Sequence, residues 1–379
     1  MVKSLYVHIP FCRQICPYCA FASVRDNCGS HDRYVSAVCK EVTSSLHLKT
    51  SNPLDSVFFG GGTPTQLEPV ELGRILSTVN DVCGIATDAE ITIEANPGSL
   101  ENHKLEALLE IGFNRLSIGI QSFDAKTLTK LGRVHTVEEA VEAFQLAREC
   151  GFKNINIDLM FSIPDVPEQT WQNSIRKGID LNPDHISAYG LIFEEGTPFA
   201  FLRDSGRIVE VDEDLDAYQY EWIRREVTKA GYIHYEVSNF SKPGHFCSHN
   251  STYWSDKPYI GVGLSSHSYL YPKRWWNTSD LKSYMERLEG GLNVVEGEER
   301  LSGRTALRDR FWLGLRSHRG VRLTAQEELL LSNNLRFKDI QYSGRWEIED
   351  GFLMIPPDFF VLADSLAVEA TEIIEYDLF

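Results

Sequence analysis

Phe11-Cys12-Arg13-Gln14-Ile15-Cys16-Pro17-Tyr18-Cys19-Ala20-Phe21 follows a short run, Ser4-Leu5-Tyr6-Val7-His8, whose β-branched and aromatic residues read as a strand. Three of the chain's eight cysteines lie within these eight positions. Three thiolates on one short loop can each reach a different iron of a single cubane and leave the fourth iron free for an exchangeable ligand. Pro17 and Tyr18 interrupt any regular element between Cys16 and Cys19, which speaks against three ordinary core cysteines. A zinc site is the competing metal reading: Cys16-x2-Cys19 and Cys28-x2-His31 have finger-like spacing. It leaves Cys12 idle and allows only eight residues between the pairs.

Outward from this loop the chain alternates strand and helix patterns. The strands are expected over Ser4–His8, Ser56–Phe59, Glu90–Glu94, Arg115–Ile120, Asn154–Phe161 and His185–Ile192. Amphipathic helices are expected over His31–Leu46, Pro69–Val82, Glu101–Ile111, Thr136–Cys150 and Glu168–Asp180, with Gly112 and Gly151 as C-capping glycines. This order predicts an α/β protein with a parallel sheet and helices outside. Cys12, Gly60-Gly61-Gly62, Glu94, Gln121, Asp158 and Tyr189 all fall at or just beyond the predicted strand ends, the rim where a β/α barrel carries its chemistry. Asn154, Asn156 and Asp158 alternate with Ile155, Ile157 and Leu159, so polar side chains share one face. A closed eight-stranded barrel fills its lumen with branched apolar residues; polar inward stripes on six strands predict an open, partial (β/α)6 barrel with a ligand in its mouth.

The glycine loop lets backbone approach a ligand closely and leaves amides free to donate, or it is a plain strand-to-helix turn. It is not a P-loop, because no Gly-Lys-Ser/Thr follows. Beyond about Gly196 the pattern is irregular. A helix is expected over Asp212–Ala230, an ordered aromatic-rich region over His234–Tyr271, a helix over Thr305–Ser317, a hairpin over Trp346–Ile355 and a final helix over Phe360–Ile374. The expected division is a barrel over 1–235, an extension over 236–300 and a small C-terminal α+β, winged-helix-like domain over 301–379.

The formal net charge of -17 makes nucleic acid an unsuitable partner. No apolar run reaches the roughly 18 residues of a membrane span, and residues 1–10 do not read as a signal peptide; the expected compartment is the cytoplasm. Eight cysteines in 379 residues are too sparse for a disulfide scaffold.

The C-x3-C-x2-C spacing resembles the signature of the radical S-adenosylmethionine (radical SAM) superfamily. Tyr6-Val7-His8-Ile9-Pro10-Phe11-Cys12, Gly60-Gly61-Gly62-Thr63-Pro64-Thr65, Glu94-Ala95-Asn96-Pro97, Gln121-Ser122-Phe123 and Leu131-Gly132-Arg133 narrow the resemblance to one branch. It holds the oxygen-independent coproporphyrinogen III oxidases and the HemW-like heme chaperones. The resemblance implies a [4Fe–4S] cluster on Cys12, Cys16 and Cys19. It implies that Gly61, Gly62 and Thr63 hold the methionyl end of SAM, that Glu94, Gln121, Arg133 and Asp158 contact SAM, and that Tyr6 and Tyr18 adjoin SAM and the cluster. Arg133 suits the SAM carboxylate; Glu94 and Asp158 suit ribose hydroxyls or the amino group.

Within the branch, three features resemble the chaperones. Phe21 stands where the oxidases carry a further cysteine. Tyr6 stands almost at the start, where the oxidases have a long preceding segment. His249-Asn250-Ser251-Thr252-Tyr253-Trp254 matches H-N-x-x-Y-W. The implied function is a heme chaperone that binds heme and passes it to acceptor apoproteins. The alternatives are an oxidase that decarboxylates a porphyrinogen and a HemN-like radical methyltransferase. His249 is a candidate axial heme ligand, with Cys247, His267 and His245 as rivals; equally, the His-Asn pair pins a loop or lines the SAM cavity. Tyr253, Trp254, Trp275 and Trp276 offer stacking surface for a flat macrocycle. Ile15 and Ala20 depart from the Lys and Asp often found there in the chaperones, which bears on tuning of the cluster and not on its ligation.

Overall fold

The computed structural model describes residues 2–26, 29–49 and 52–378. Cys28, the third ligand of the zinc reading, lies outside the described residues.

Six parallel strands form the centre: β1 (Ser4–Ile9), β2 (Leu54–Gly61), β3 (Ile85–Ala95), β4 (Arg115–Gln121), β5 (Asn154–Phe161) and β6 (His185–Gly190). Each pairs in parallel with the next in chain order. Helices cross back between them over His31–Ser44, Pro69–Cys83, Asn102–Ile111, Val137–Cys150 and Glu168–Asp180. The sequence dictates these helices locally. Thr136 and Glu139 form a capping box at one start, and Gly112 and Gly151 take φ of 115° and 114° at two ends, where only glycine is unstrained.

The barrel does not close. The free edge of β1 pairs in parallel with Tyr259–Val262, and the free edge of β6 pairs antiparallel with Asn239–Ser241. Further antiparallel strands continue both ways, giving a twelve-stranded sheet. Both barrel edges are therefore covered by the chain itself, which removes an aggregation liability. The aromatic-rich stretch after Gly231 supplies these strands, and the antiparallel pair Lys273–Asn277 with Val295–Arg300, joined through the helix Leu281–Glu289, ends the sheet.

The register stacks the lumen in layers. Tyr6 pairs with Phe58, Phe58 with Thr92, Thr92 with Arg115 and Arg115 with Asn154; one level higher come Glu94, Ser117 and Asn156. The opposite faces of these strands, including Val7, Val57, Ile93, Leu116 and Ile157, are buried under the helices in one core that runs from Val2 to Val294. A second core, built on Leu307, Phe311, Phe337, Trp346, Leu353 and Ile374, belongs to a small C-terminal α+β region. There Phe337 and Trp346 stack at 4.8 Å, and a three-stranded sheet has the order Val321–Arg322, Phe352–Met354, Glu347–Glu349. Helices at Ala325–Asn333 and Leu335–Tyr342 lie in the part of that region where no element was expected. Among the described residues no helix is long and apolar enough to cross a membrane.

Candidate functional site

The cysteine loop is held by backbone on both sides. Phe11–Cys12 pairs in parallel with Val24–Arg25, and the Cys19 amide donates to the Cys16 carbonyl at 3.0 Å in a tight turn. The Gly62 and Thr63 amides donate to the Ile9 and Phe11 carbonyls, both at 2.8 Å, so the glycine loop is laced directly to the cysteine loop. This corrects the expectation that the glycine amides are free for a ligand: the Gly61 amide is also used, on Glu94 Oε2 at 3.1 Å. The glycines are required by close approach instead. A Cβ on Gly62 would meet the Pro10 carbonyl oxygen at 2.6 Å, and one on Gly61, at φ 119°, would meet the His8 ring at 2.6 Å.

None of the three cysteines is in a disulfide. Thr63 Oγ1 lies 3.6 Å from Cys12 Sγ, and Arg133 Nη1 donates to Cys16 Sγ at 3.5 Å. Burial pushes the Cys12 and Cys19 thiols above their usual pKa. Among the described residues no three His, Cys, Asp or Glu side chains are placed to hold one metal ion. A cubane makes no such demand, since each thiolate binds a separate iron. Three soft donors on one loop, with a guanidinium beside one of them, fit an anionic iron–sulfur group.

Beside this loop the lumen holds a cavity of about 300 Å³ lined by Tyr6, Phe58, Gly61, Glu94, Tyr189, Tyr253 and others. Glu94 is buried, and burial followed by repulsion from Asp158 raises its pKa to about 8. The Asp158 carboxyl is also raised by burial, although Asn156 Nδ2 at 2.7 Å and Tyr189 OH at 3.0 Å donate to its Oδ1. Asp158 is a correction in position: it sits mid-strand and faces the lumen, not the rim. Two carboxyl groups sharing a dry lumen favour holding a proton.

Tyr6, Gly61, Glu94 and His249 therefore line one cavity, and Asp158 stands behind its wall, bonded to the lining residues Asn156 and Tyr189. Arg133, Tyr18 and Gln121 form a separate group on the cluster-loop side. Arg133 donates to Asn96 Oδ1 and to the Gly119 carbonyl at 2.6 Å as well as to Cys16, bonds that do not use all five of its N–H donors. Gln121 has φ 69° at a slip in register between β4 and β5. Such a bulge re-aims a side chain at a site.

His249 lies in a short helix, Ser248–Tyr253, seated over β2 and β3. Glu90 accepts from the Ser248 and His249 amides, each at 3.1 Å. Both imidazole nitrogens are taken, Nδ1 by Ser56 Oγ at 3.0 Å and Nε2 by Tyr253 OH at 2.8 Å. The ring stacks on Phe58 at 5.1 Å, is 1% exposed, and burial lowers its pKa to about 3. Of the meanings the sequence left open, this is the geometry of a pinned loop lining the cavity. Iron reaches Nε2 only if Tyr253 leaves it.

Sequence reasoning missed Arg115. The residue is 1% exposed and lines the cavity, and its Nε has no hydrogen-bond partner among the described residues. The signal was available: Arg115 and Ser117 share the inward parity of their strand, against Leu116 and Ile118.

The family described as the Radical SAM superfamily matches residues 6–177. A Bacillus subtilis protein named Heme chaperone HemW is 37% identical over 323 residues, 84% of this chain and 85% of that one. An Escherichia coli protein of the same name is 38% identical over 265 residues, 70% and 69% of the two chains. The solved structure titled coproporphyrinogen III oxidase (HemN) from Escherichia coli superposes with a TM-score of 0.77 at 22% identity, covering 99% of this chain and 90% of that one, a likeness of fold. The open six-stranded barrel with its three-cysteine loop is that of a radical SAM protein. Within that superfamily the chain belongs to the HemW/HemN-like family.

Proposed function

We propose that this chain is a heme chaperone, binding heme and delivering it to an acceptor apoprotein, and that it uses a [4Fe–4S] cluster with exchangeable SAM. The observation that carries the reading is the extent of the likeness. A match over 84% of the chain to a protein named as a heme chaperone necessarily includes the helix Ser248–Tyr253. That helix turns His249, Asn250 and Tyr253 to the lumen and Ser251 and Trp254 to the opposite side.

In this reading Cys12, Cys16 and Cys19 hold the cluster. When bound, the cluster and SAM supply one-electron chemistry. The chain's own contribution is positional. Arg133 offsets thiolate charge at Cys16, and Thr63 steadies Cys12. Gly61, Gly62 and Thr63 fix the floor on which the methionyl end rests, and Gln121 and Tyr18 close the cluster side. Tyr6 and Phe58 wall the cavity with aromatic surface. Glu94 and Asp158 offer acceptors, with burial and repulsion from Asp158 favouring a proton on Glu94. Arg115 gives the lumen a fixed positive charge.

The test uses anaerobically purified holoprotein. Stoichiometric heme binding without decarboxylation of coproporphyrinogen III supports the chaperone. Decarboxylation with formation of 5′-deoxyadenosine, and no heme binding above background, selects the oxidase instead.

A further inference from the structure

On the far side of the helix Ser248–Tyr253 from the lumen lies a second hollow of about 400 Å³, between the barrel and the C-terminal region. Its walls are mostly apolar, with Trp254, Val321 and Phe352 among them. At its back stands His318. The His318 amide and its Nδ1 both approach the Tyr235 carbonyl oxygen, at 2.9 and 2.8 Å. A carbonyl only accepts, so Nδ1 carries the proton and Nε2 presents its lone pair. Nε2 has no protein partner among the described residues.

The ring is firmly aimed. Phe246 lies 5.1 Å from it, and residues 316–318 are bridged to the neighbouring strand through Val237 N to the Arg316 carbonyl at 3.0 Å and the Glu236–Ser317 pairing. An imidazole with Nδ1–H on a backbone carbonyl and Nε2 open is the arrangement by which proteins orient a metal-binding histidine. This is the reverse of His249, whose two nitrogens are both occupied.

Charge completes the case. Lys257, Arg310, Arg319 and Arg322 line the hollow against one acid, Asp256, on a chain of net charge -17. Arg310 is committed to Glu327 and to the Arg322 carbonyl. Neither Arg319 nor Arg322 forms an ion pair among the described residues. Two exposed guanidinium groups beside an apolar slot suit the carboxylates of a flat, dianionic macrocycle.

The geometry points to His318 as the axial ligand of a heme seated between Trp254 and Phe352, with its propionates on Arg319 and Arg322. This rests on the chaperone reading above and supplies its binding site. It gives H-N-x-x-Y-W a structural meaning: one short helix separates the cofactor cavity from the cargo site, with Tyr253 on one side and Trp254 on the other.

Heme is titrated into reconstituted holoprotein and followed by Soret difference spectra. The wild type is expected to bind heme more tightly than heme dimethyl ester. His318→Asn, which keeps a side-chain donor for the Tyr235 carbonyl, is expected to weaken heme by at least roughly ten-fold, the lower end of what losing even an outer partner does at a metal centre, and to move the Soret band. Free imidazole is expected to restore the wild-type band in His318→Gly. The double variant Arg319→Ala/Arg322→Ala is expected to lose the preference for heme over its ester. His103→Ala, at an exposed histidine of the helix Asn102–Ile111, is expected to leave the band where it was. An unchanged band and affinity in His318→Asn overturns the proposal, as does a band that moves in His249→Ala alone. A wild type that never binds heme removes the chaperone reading itself, an outcome distinct from either.

Discussion

The barrel lumen and the hollow behind it are opposites built from one helix. The lumen is polar and acidic. Its carboxyl groups, Glu94 and Asp158, sit on rigid strands with one strand between them, and they accept from the Gly61 amide, Asn156 and Tyr189. The hollow is apolar and basic, and among the described residues the Nε2 of His318 has no partner and Arg319 and Arg322 form no ion pair. In the proposed reading the first takes a small polar ligand held in one pose beside three thiols, and the second takes a large, flat, anionic ligand that must leave again. Different demands on retention account for the difference: a preorganised first shell on strands costs little to occupy, whereas an open slot between two cores releases its contents by a small displacement.

The sharpest way to separate the two regions is to remove the thiols. Replacing Cys12, Cys16 or Cys19 by Ala is expected to abolish the iron–sulfur absorbance of anaerobically reconstituted protein entirely. Replacing Cys39, Cys83 or Cys150, which stand on helices outside the barrel, is expected to leave it intact. The cluster-free variants are expected still to bind heme. If heme binding disappears with the cluster, the lumen and the hollow are one site and the contrast between them fails.

What could be read from the chain follows the same division. The strands and helices of the barrel were legible because parity and helical spacing act locally. Asn154–Phe161 and Glu168–Asp180 begin and end where their side chains require. The lumen followed from the same parity, with the exception of Arg115, a lone charge at the start of a strand. That the glycine-loop amides are spent within the chain was not legible, because the hydrogen bonds from Gly62 to Ile9 and from Thr63 to Phe11 join segments some fifty residues apart. The hollow was not legible at all. It depends on Tyr235, Trp254, His318 and Phe352 meeting across two cores, and no local pattern marks His318. The edge strands Tyr259–Val262 and Lys273–Asn277 were similarly obscure, because their place is fixed by partners already in the sheet.

Within the lumen, the separation of the cavity group from the cluster-side group can be sharpened by SAM affinity. Arg133→Ala and Asp158→Ala are each expected to weaken SAM while preserving the cluster. Loss of one buried charge-assisted hydrogen bond costs about 1.5–3 kcal/mol, or roughly ten- to hundred-fold in affinity. Isothermal titration of reconstituted protein reads this directly. Unchanged affinity in both variants would place SAM elsewhere.

The smallest effect lies at the seam between the two regions. His234, on the edge strand Ile233–Glu236, stacks on Phe240 at 4.2 Å and meets Phe360 of the C-terminal region edge-on at 4.9 Å. Burial lowers its pKa to about 3, whereas an unfolded histidine titrates near 6.5. Above pH 6.5 both states are neutral and the full stability is present. As the pH falls below 6.5 the unfolded chain takes up a proton that the folded chain refuses, so stability is lost progressively towards pH 3. The slope from this residue is about 1.4 kcal/mol per pH unit. His234→Phe keeps a ring in the stack, and it strands no partner, because Tyr220 OH already donates to the Val237 carbonyl at 2.8 Å. Urea unfolding at pH 6.5 and 5.5 is expected to show a smaller acid loss in His234→Phe than in the wild type by about 1 kcal/mol, since the unfolded histidine is already half protonated at pH 6.5. Equal losses in the two proteins would mean that the seam opens to water before the chain unfolds, and that barrel and C-terminal region part more easily than their packing around His234 implies.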